Sequence, residues 1–197
     1  MTDRYPLPKS AGITAVHKDI RDSVLRFQKE MHRLESELPA QITFEAGPVS
    51  PELMCIVETK QCSQMYSRAI QVFALLAVEA FLNEYGYLRL GQAVFEKKYE
   101  PLGIAKKLTN TLSEVLGSFD ETSEIVAVVR KLGERRNRLV HPRPELTALT
   151  EGGATVQTAG RVPSADPGSA EAAVQEIERF FELFVKLDPE AAAILGH

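Results

Sequence analysis

The sequence predicts an all-α protein: an up-and-down antiparallel bundle of about five helices, with a small irregular or hairpin insertion before the last one. Three observations predict it. Apolar residues recur at helical spacing in several segments. Helix-start residues stand just ahead of some of them. One stretch, AIQVFALLAVEAFLNEYG, is apolar almost throughout and reads as the buried centre of the bundle.

The first helix begins at Ile13. Ile13, Val16, Ile20, Val24, Phe27, Met31, Leu34 and Leu38 follow one another at steps of three or four, a near-heptad stripe. The helix should end near Pro39, and PAQITFEAGPV reads as a loop. Ser50-Pro51-Glu52 then combines an N-cap residue, a proline at the first position and an acid in the first turn. The second helix runs from there to about Tyr85, with Gly86 as its stop. LGQAVFEKKYEPLG gives a short helix and a turn. IAKKLTNTLSEVLG gives a further helix with Ile104, Leu108, Leu112, Val115 and Leu116 inward. SFDETS reads as a capping segment, and the next helix spans about Glu121 to His141. The stretch from Leu146 to Ser169 lacks helical period and carries Gly152-Gly153 between short β-like runs. Ser169 is expected to cap the last helix, with Val174, Ile177, Phe180, Phe181, Phe184 and Leu187 on its apolar face.

A chain of 197 residues with 44% hydrophobic and 25% charged residues suits a single globular domain. Residues 1–12 read as a flexible tail and 13–197 as one helical domain, its irregular insertion at about 147–168. No apolar run reaches the roughly 18 residues needed to span a membrane. The opening MTDRYPLPKS lacks a signal-peptide core, so a cytoplasmic location and no membrane partner are expected. Cys55 and Cys62 lie seven apart in a helix, about 10 Å along its axis, too far for a disulfide; they are expected to be reduced, structural thiols.

Several chemistries find no support in the pattern. There is no glycine-rich phosphate loop and no nucleophile elbow. His17, His32, His141 and His197 show no metal-ligand spacing, so neither a metal nor a cofactor is expected. His17 and His32 read as solvent-side residues of the first helix.

Charge is concentrated in one place. Residues 130–143 hold six basic residues and one acid in a chain of net charge -4. Such a focus attracts phosphate even on an acidic protein. On a helical wheel Ile125, Val128, Val129, Leu132, Leu139 and Val140 gather on one side. Arg130, Glu134, Asn137, Arg138 and His141 gather on the other. Arg136 falls in the apolar arc. A buried arginine needs a partner, and Glu79, the single charge between Ala69 and Leu82, is expected to supply it. His141 precedes Pro142, which disfavours helical geometry before it, so the ring is placed at the helix end with access to solvent.

Arg136 through His141, RNRLVH, resembles the R-x(4–6)-H motif of the HEPN superfamily, where a polar residue, often Asn, commonly follows the arginine. Arg26 and His32 also fit the bare spacing, but Phe27 follows that arginine in mid-helix. The resemblance covers the bundle pattern over most of the chain, and its sharp part is six residues long. It implies a metal-independent endoribonuclease acting as a homodimer, with two motifs facing across a cleft, in toxin–antitoxin, phage-defence or stress response. RNA or a nucleotide, and a cognate antitoxin or other protein, would be its partners. His141 would transfer a proton at the ribose 2′-OH or the leaving oxygen. Arg136 would stabilise the scissile phosphate, and Asn137 would position the phosphate or hold the histidine. Arg130, Arg135, Arg138 and Arg143 would bind the RNA backbone. An inward Arg136 would instead orient the site and leave phosphate to Arg135 or Arg138. Inactive members of the family imply the alternative of a non-catalytic module that binds a nucleotide or a protein.

Overall fold

The computed structural model describes residues 16–40, 50–140 and 166–195. The tail at 1–12, His141, Arg143 and nearly all of the 147–168 insertion lie outside them. Among the described residues the fold is all-α, as the sequence predicts. The helices are α1 (Val16–Glu37), α2 (Pro51–Leu90), α3 (Gln92–Lys98), α4 (Ile104–Leu116), α5 (Glu124–Val140), α6 (Pro167–Leu187) and the short α7 (Ala192–Leu195), reached through a 3-10 turn at Pro189–Ala191. Four long helices and α4 form the bundle, and α3 and α7 follow the C-terminal ends of α2 and α6.

α2 is the element the others pack on: α1, α3, α4, α5 and α6 all touch it. Ser50 caps it, its hydroxyl accepting from the Leu53 N–H at 3.1 Å, with Pro51 in the first turn. α1 runs antiparallel to it: Glu35 meets Lys60 near the start of α2 and His17 meets Glu84 near its end. α6 runs parallel to it. Ser67 donates to the Asp166 carbonyl, Phe81 meets Phe180, and Tyr85 meets Phe184. α5 is antiparallel to α6, since Glu124 pairs with Arg179 and Arg135 with the earlier Glu176. The core is richest where Phe81 stands edge-on to Phe184, Phe181 and Phe180, with ring centroids 4.9, 5.2 and 5.9 Å away.

Several expectations change. α2 does not stop at Gly86. It continues to Leu90, and Gly91, with φ +82, ends it and turns the chain into α3. Gly86 serves packing instead: a Cβ there would lie 2.0 Å from the ring of fully buried Phe95 in α3. The last helix is capped by Asp166, not Ser169. The Asp166 carboxylate accepts from the Ser169 N–H at 2.8 Å and from its hydroxyl at 2.9 Å, and Pro167 takes the first turn. α5 begins three residues later than expected, because Asp120 holds Thr122 in a tight turn through the Thr122 N–H and hydroxyl.

His17 is not at the solvent side. It is 1% exposed, and its Nδ1 lies 2.7 Å from Glu84 Oε2. His17, Ile20, Val24 and Met31 share one face, so the histidine takes the inward register that the stripe gave to Val16, which is half exposed. His32 is at the surface as expected, beside Glu171. Cys55 and Cys62 are free, and both are exposed rather than core thiols. An 18-residue window of α2 has a mean hydropathy of 1.4, long and apolar enough by composition to cross a bilayer, and half of that window is buried by neighbouring helices. The expectation of no such run overlooked that a window can carry one or two charges.

The α2–α3 contact makes a direct test. Gly86→Ala should destabilise the protein by about 1–3 kcal/mol in urea denaturation, because overpacking against Phe95 outweighs the helical preference of alanine. A neutral or stabilising result would remove the packing role given to Gly86.

Candidate functional site

The motif stands at the C-terminal end of α5. The buried residues of that helix are Ile125, Val126, Val128, Val129 and Leu132. None follows: from Gly133 to Val140 every residue is partly or fully exposed, and Val140 is 44% exposed. The helix therefore anchors its first half in the core and carries its last two turns at the surface. The wheel's apolar arc stops being a core face after Leu132, although Leu139 and Val140 continue its spacing.

The basic residues separate into different roles. Arg136 is half-buried, and its guanidinium Nη1 donates to the Asn137 side-chain oxygen at 3.2 Å. Asn137 itself is exposed. Arg135 binds Glu176 of α6 through two bonds of 3.0 and 3.2 Å, in a partly buried fork. That arginine straps α5 to α6. Arg138 lies 3.6 Å from Glu134 one turn back, with both side chains largely exposed. Such a pair is worth only about 0.3–0.5 kcal/mol and leaves the cation available. Arg130 is exposed and, among the described residues, has no ion pair. Arg143 and His141 lie outside the described residues.

The expected Glu79–Arg136 pair is not formed. Glu79 Oε1 lies 3.1 Å from Nζ of Lys107, which reaches across from α4 and also donates to Asn83 at 2.9 Å. Lys107 is only 1% exposed, so burial makes its claim on the carboxylate the stronger one. Arg136 has no such need, because the bundle does not close over its end of the helix.

Further buried polar groups escaped the sequence reading. Tyr85 donates to Asp188 at 2.6 Å, and Arg89 reaches Asp188 at 3.0 Å and Glu190 beside it. Burial, and then the Asp188 carboxylate, push the Tyr85 phenol well above its usual range, so it remains a donor. Burial opposes the Arg89 charge, yet Tyr85, Glu190 and Asp188 together hold its pKa above the usual value. This network ties the end of α2 to the turn after α6. With the His17–Glu84 pair it forms a polar layer at the end of the bundle away from the motif. The three charged residues inside EAFLNEYGYLR, Glu79, Glu84 and Arg89, set in an otherwise apolar helix, were the available signal.

Among the described residues no group of three or more His, Cys, Asp and Glu is placed to hold a metal ion. What the motif face presents is a cation bonded to an amide, with further cations at Arg130 and Arg138. That arrangement can bind and polarise a phosphate. No family model, curated protein or solved structure matches this chain significantly.

Two substitutions distinguish the pairings. Glu79→Ala leaves buried Lys107 without its carboxylate and should cost about 3 kcal/mol of stability. Arg136→Ala should change stability by no more than about 0.5 kcal/mol. Comparable large losses from both, read as urea midpoints, would restore a shared role for the two residues.

Proposed function

We propose that this chain is a metal-independent endoribonuclease of HEPN type that works as a homodimer. The observation that carries the reading is the state of the α5 end. Arg136 and Asn137 are bonded to each other on two helical turns that the core does not cover, immediately before His141 in sequence. A structural arginine in a bundle would be expected to have a buried acid, as Arg89 does. Among the described residues this one is left with an amide.

The chemistry follows from those groups. The His141 imidazole takes the proton of a ribose 2′-OH, and that oxygen attacks the adjacent phosphorus. The bond from phosphorus to the 5′-oxygen breaks, and the leaving oxygen receives a proton from the imidazolium of one of the two copies. Arg136 holds the phosphate oxygens as negative charge builds on them, and Asn137 fixes the guanidinium. The products are a 2′,3′-cyclic phosphate and a 5′-hydroxyl. Toxin–antitoxin, phage-defence or stress-response settings, and a cytoplasmic location, belong to this same reading. A non-catalytic module that binds a protein is the second reading. It is favoured by the apolar side chains that α2 leaves exposed, Met54, Met65 and Leu76.

The test is RNA cleavage by the full chain in the presence of a chelator. Wild type should yield cyclic-phosphate ends, His141→Ala should be slower by about 10²–10⁴-fold, and Arg136→Ala should also lose most activity. Equal cleavage by wild type and His141→Ala, or none by either, would sink the ribonuclease reading.

A further inference from the structure

α4 and α5 enclose a shallow groove of about 330 Å³ lined by Ala105, Lys106, Thr109, Asn110, Glu121 and Arg130. It is separate from the six-residue motif. Lys106 and Arg130 enter it from different helices, both are exposed, and among the described residues neither has an ion pair. Other cations nearby are engaged. Lys107 is taken by Glu79, Arg135 by Glu176, and Arg138 lies beside Glu134. Glu121 shares the groove without pairing with either cation. The Thr109 hydroxyl is engaged with the Lys106 carbonyl, whereas the Asn110 amide is exposed.

Two cations and one acid leave a single positive charge. That balance suits a ligand with one negative charge, an internal phosphodiester, better than a terminal phosphate with nearly two. Position points the same way. Arg130 precedes Asn137 by seven residues, two helical turns, so the two stand on one face about 10 Å apart along α5. A strand whose scissile phosphate sits at Arg136 and Asn137 passes this groove as it continues along the helix.

We propose that the α4–α5 groove is a second phosphate subsite, holding an internal phosphodiester of single-stranded RNA away from the bond to be cut. Lys106 and Arg130 meet its oxygens, Asn110 donates to one of them, and Glu121 limits the groove to a singly charged group. The choice of RNA as the strand rests on the ribonuclease reading; the groove's preference for a phosphodiester rests on its own side chains.

The experiment uses the full chain and a fluorescent, 2′-O-methylated single-stranded RNA, which binds but cannot be cut through its 2′ oxygen. Anisotropy is followed across a salt series. Joint Lys106→Ala and Arg130→Ala substitution should weaken binding on the order of fivefold and make the log-affinity against log-salt slope shallower by about 0.7, the share of one phosphate on a single strand. Joint Lys106→Arg and Arg130→Lys substitution should bind close to wild type, and circular dichroism of each variant checks that the helices are intact. A wild type that does not bind the strand, or an alanine pair with unchanged affinity and slope, overturns the subsite. Cleavage of unmodified RNA separates the two claims. Cutting with no effect of the alanine pair on binding keeps the ribonuclease and removes the groove. Groove-dependent binding without cutting does the reverse.

Discussion

Phe81 is fully buried in α2 and meets three phenylalanines of α6 edge-on. The rest of the bundle depends on that contact. The parallel register of α2 and α6 is set there, and it continues from Ser67–Asp166 at one end to Tyr85–Asp188 at the other. α5 is held against the pair by Arg135 and by its own valines, and α1 covers the opposite side. Aromatic rings interlock with fixed geometry, so the register cannot slip by a residue without losing several edge-to-face contacts at once.

The central helix is apolar on most sides, yet its second half carries Glu79, Glu84 and Arg89. Each is answered from a different element: Lys107 of α4, His17 of α1, and Asp188 with Glu190 after α6. Removing one member of such a pair costs more than the pair contributes, because the survivor stays out of water. These pairs therefore act as selectors of arrangement. They favour the one packing in which α1, α4 and the chain after α6 all lie against the correct turn of α2.

Periodic features were legible in the sequence. The stripes of α1 and α6, the Ser50-Pro51 start and the inward residues of α4 all follow from spacing and capping chemistry. Gly86 was misread because glycine serves both to stop a helix and to admit a neighbouring ring, and only the fold-back of α3 tells which. Asp166-Pro167 repeats the logic of Ser50-Pro51 and could have been read as the cap of α6. The partners of Glu79 and His17 could not be read, since they come from positions 28 and 67 residues away. At the site, the motif and the exposed Arg130, Asn137 and Arg138 came from the sequence. The Arg135–Glu176 pair and the Arg136–Asn137 bond did not, because the wheel shows direction but not where the core ends along the helix.

That ending of the core has a counterpart on α2. Its first buried residue is Ser63, so more than three turns of helix precede any full burial, with Lys60 paired to Glu35 of α1. Cys55 and Cys62 both stand on this stretch, exposed. Thiol chemistry can reach them while the aromatic core stays shut. The protein thus carries two built-in attachment points on the outer turns of its central helix, remote in sequence from the motif.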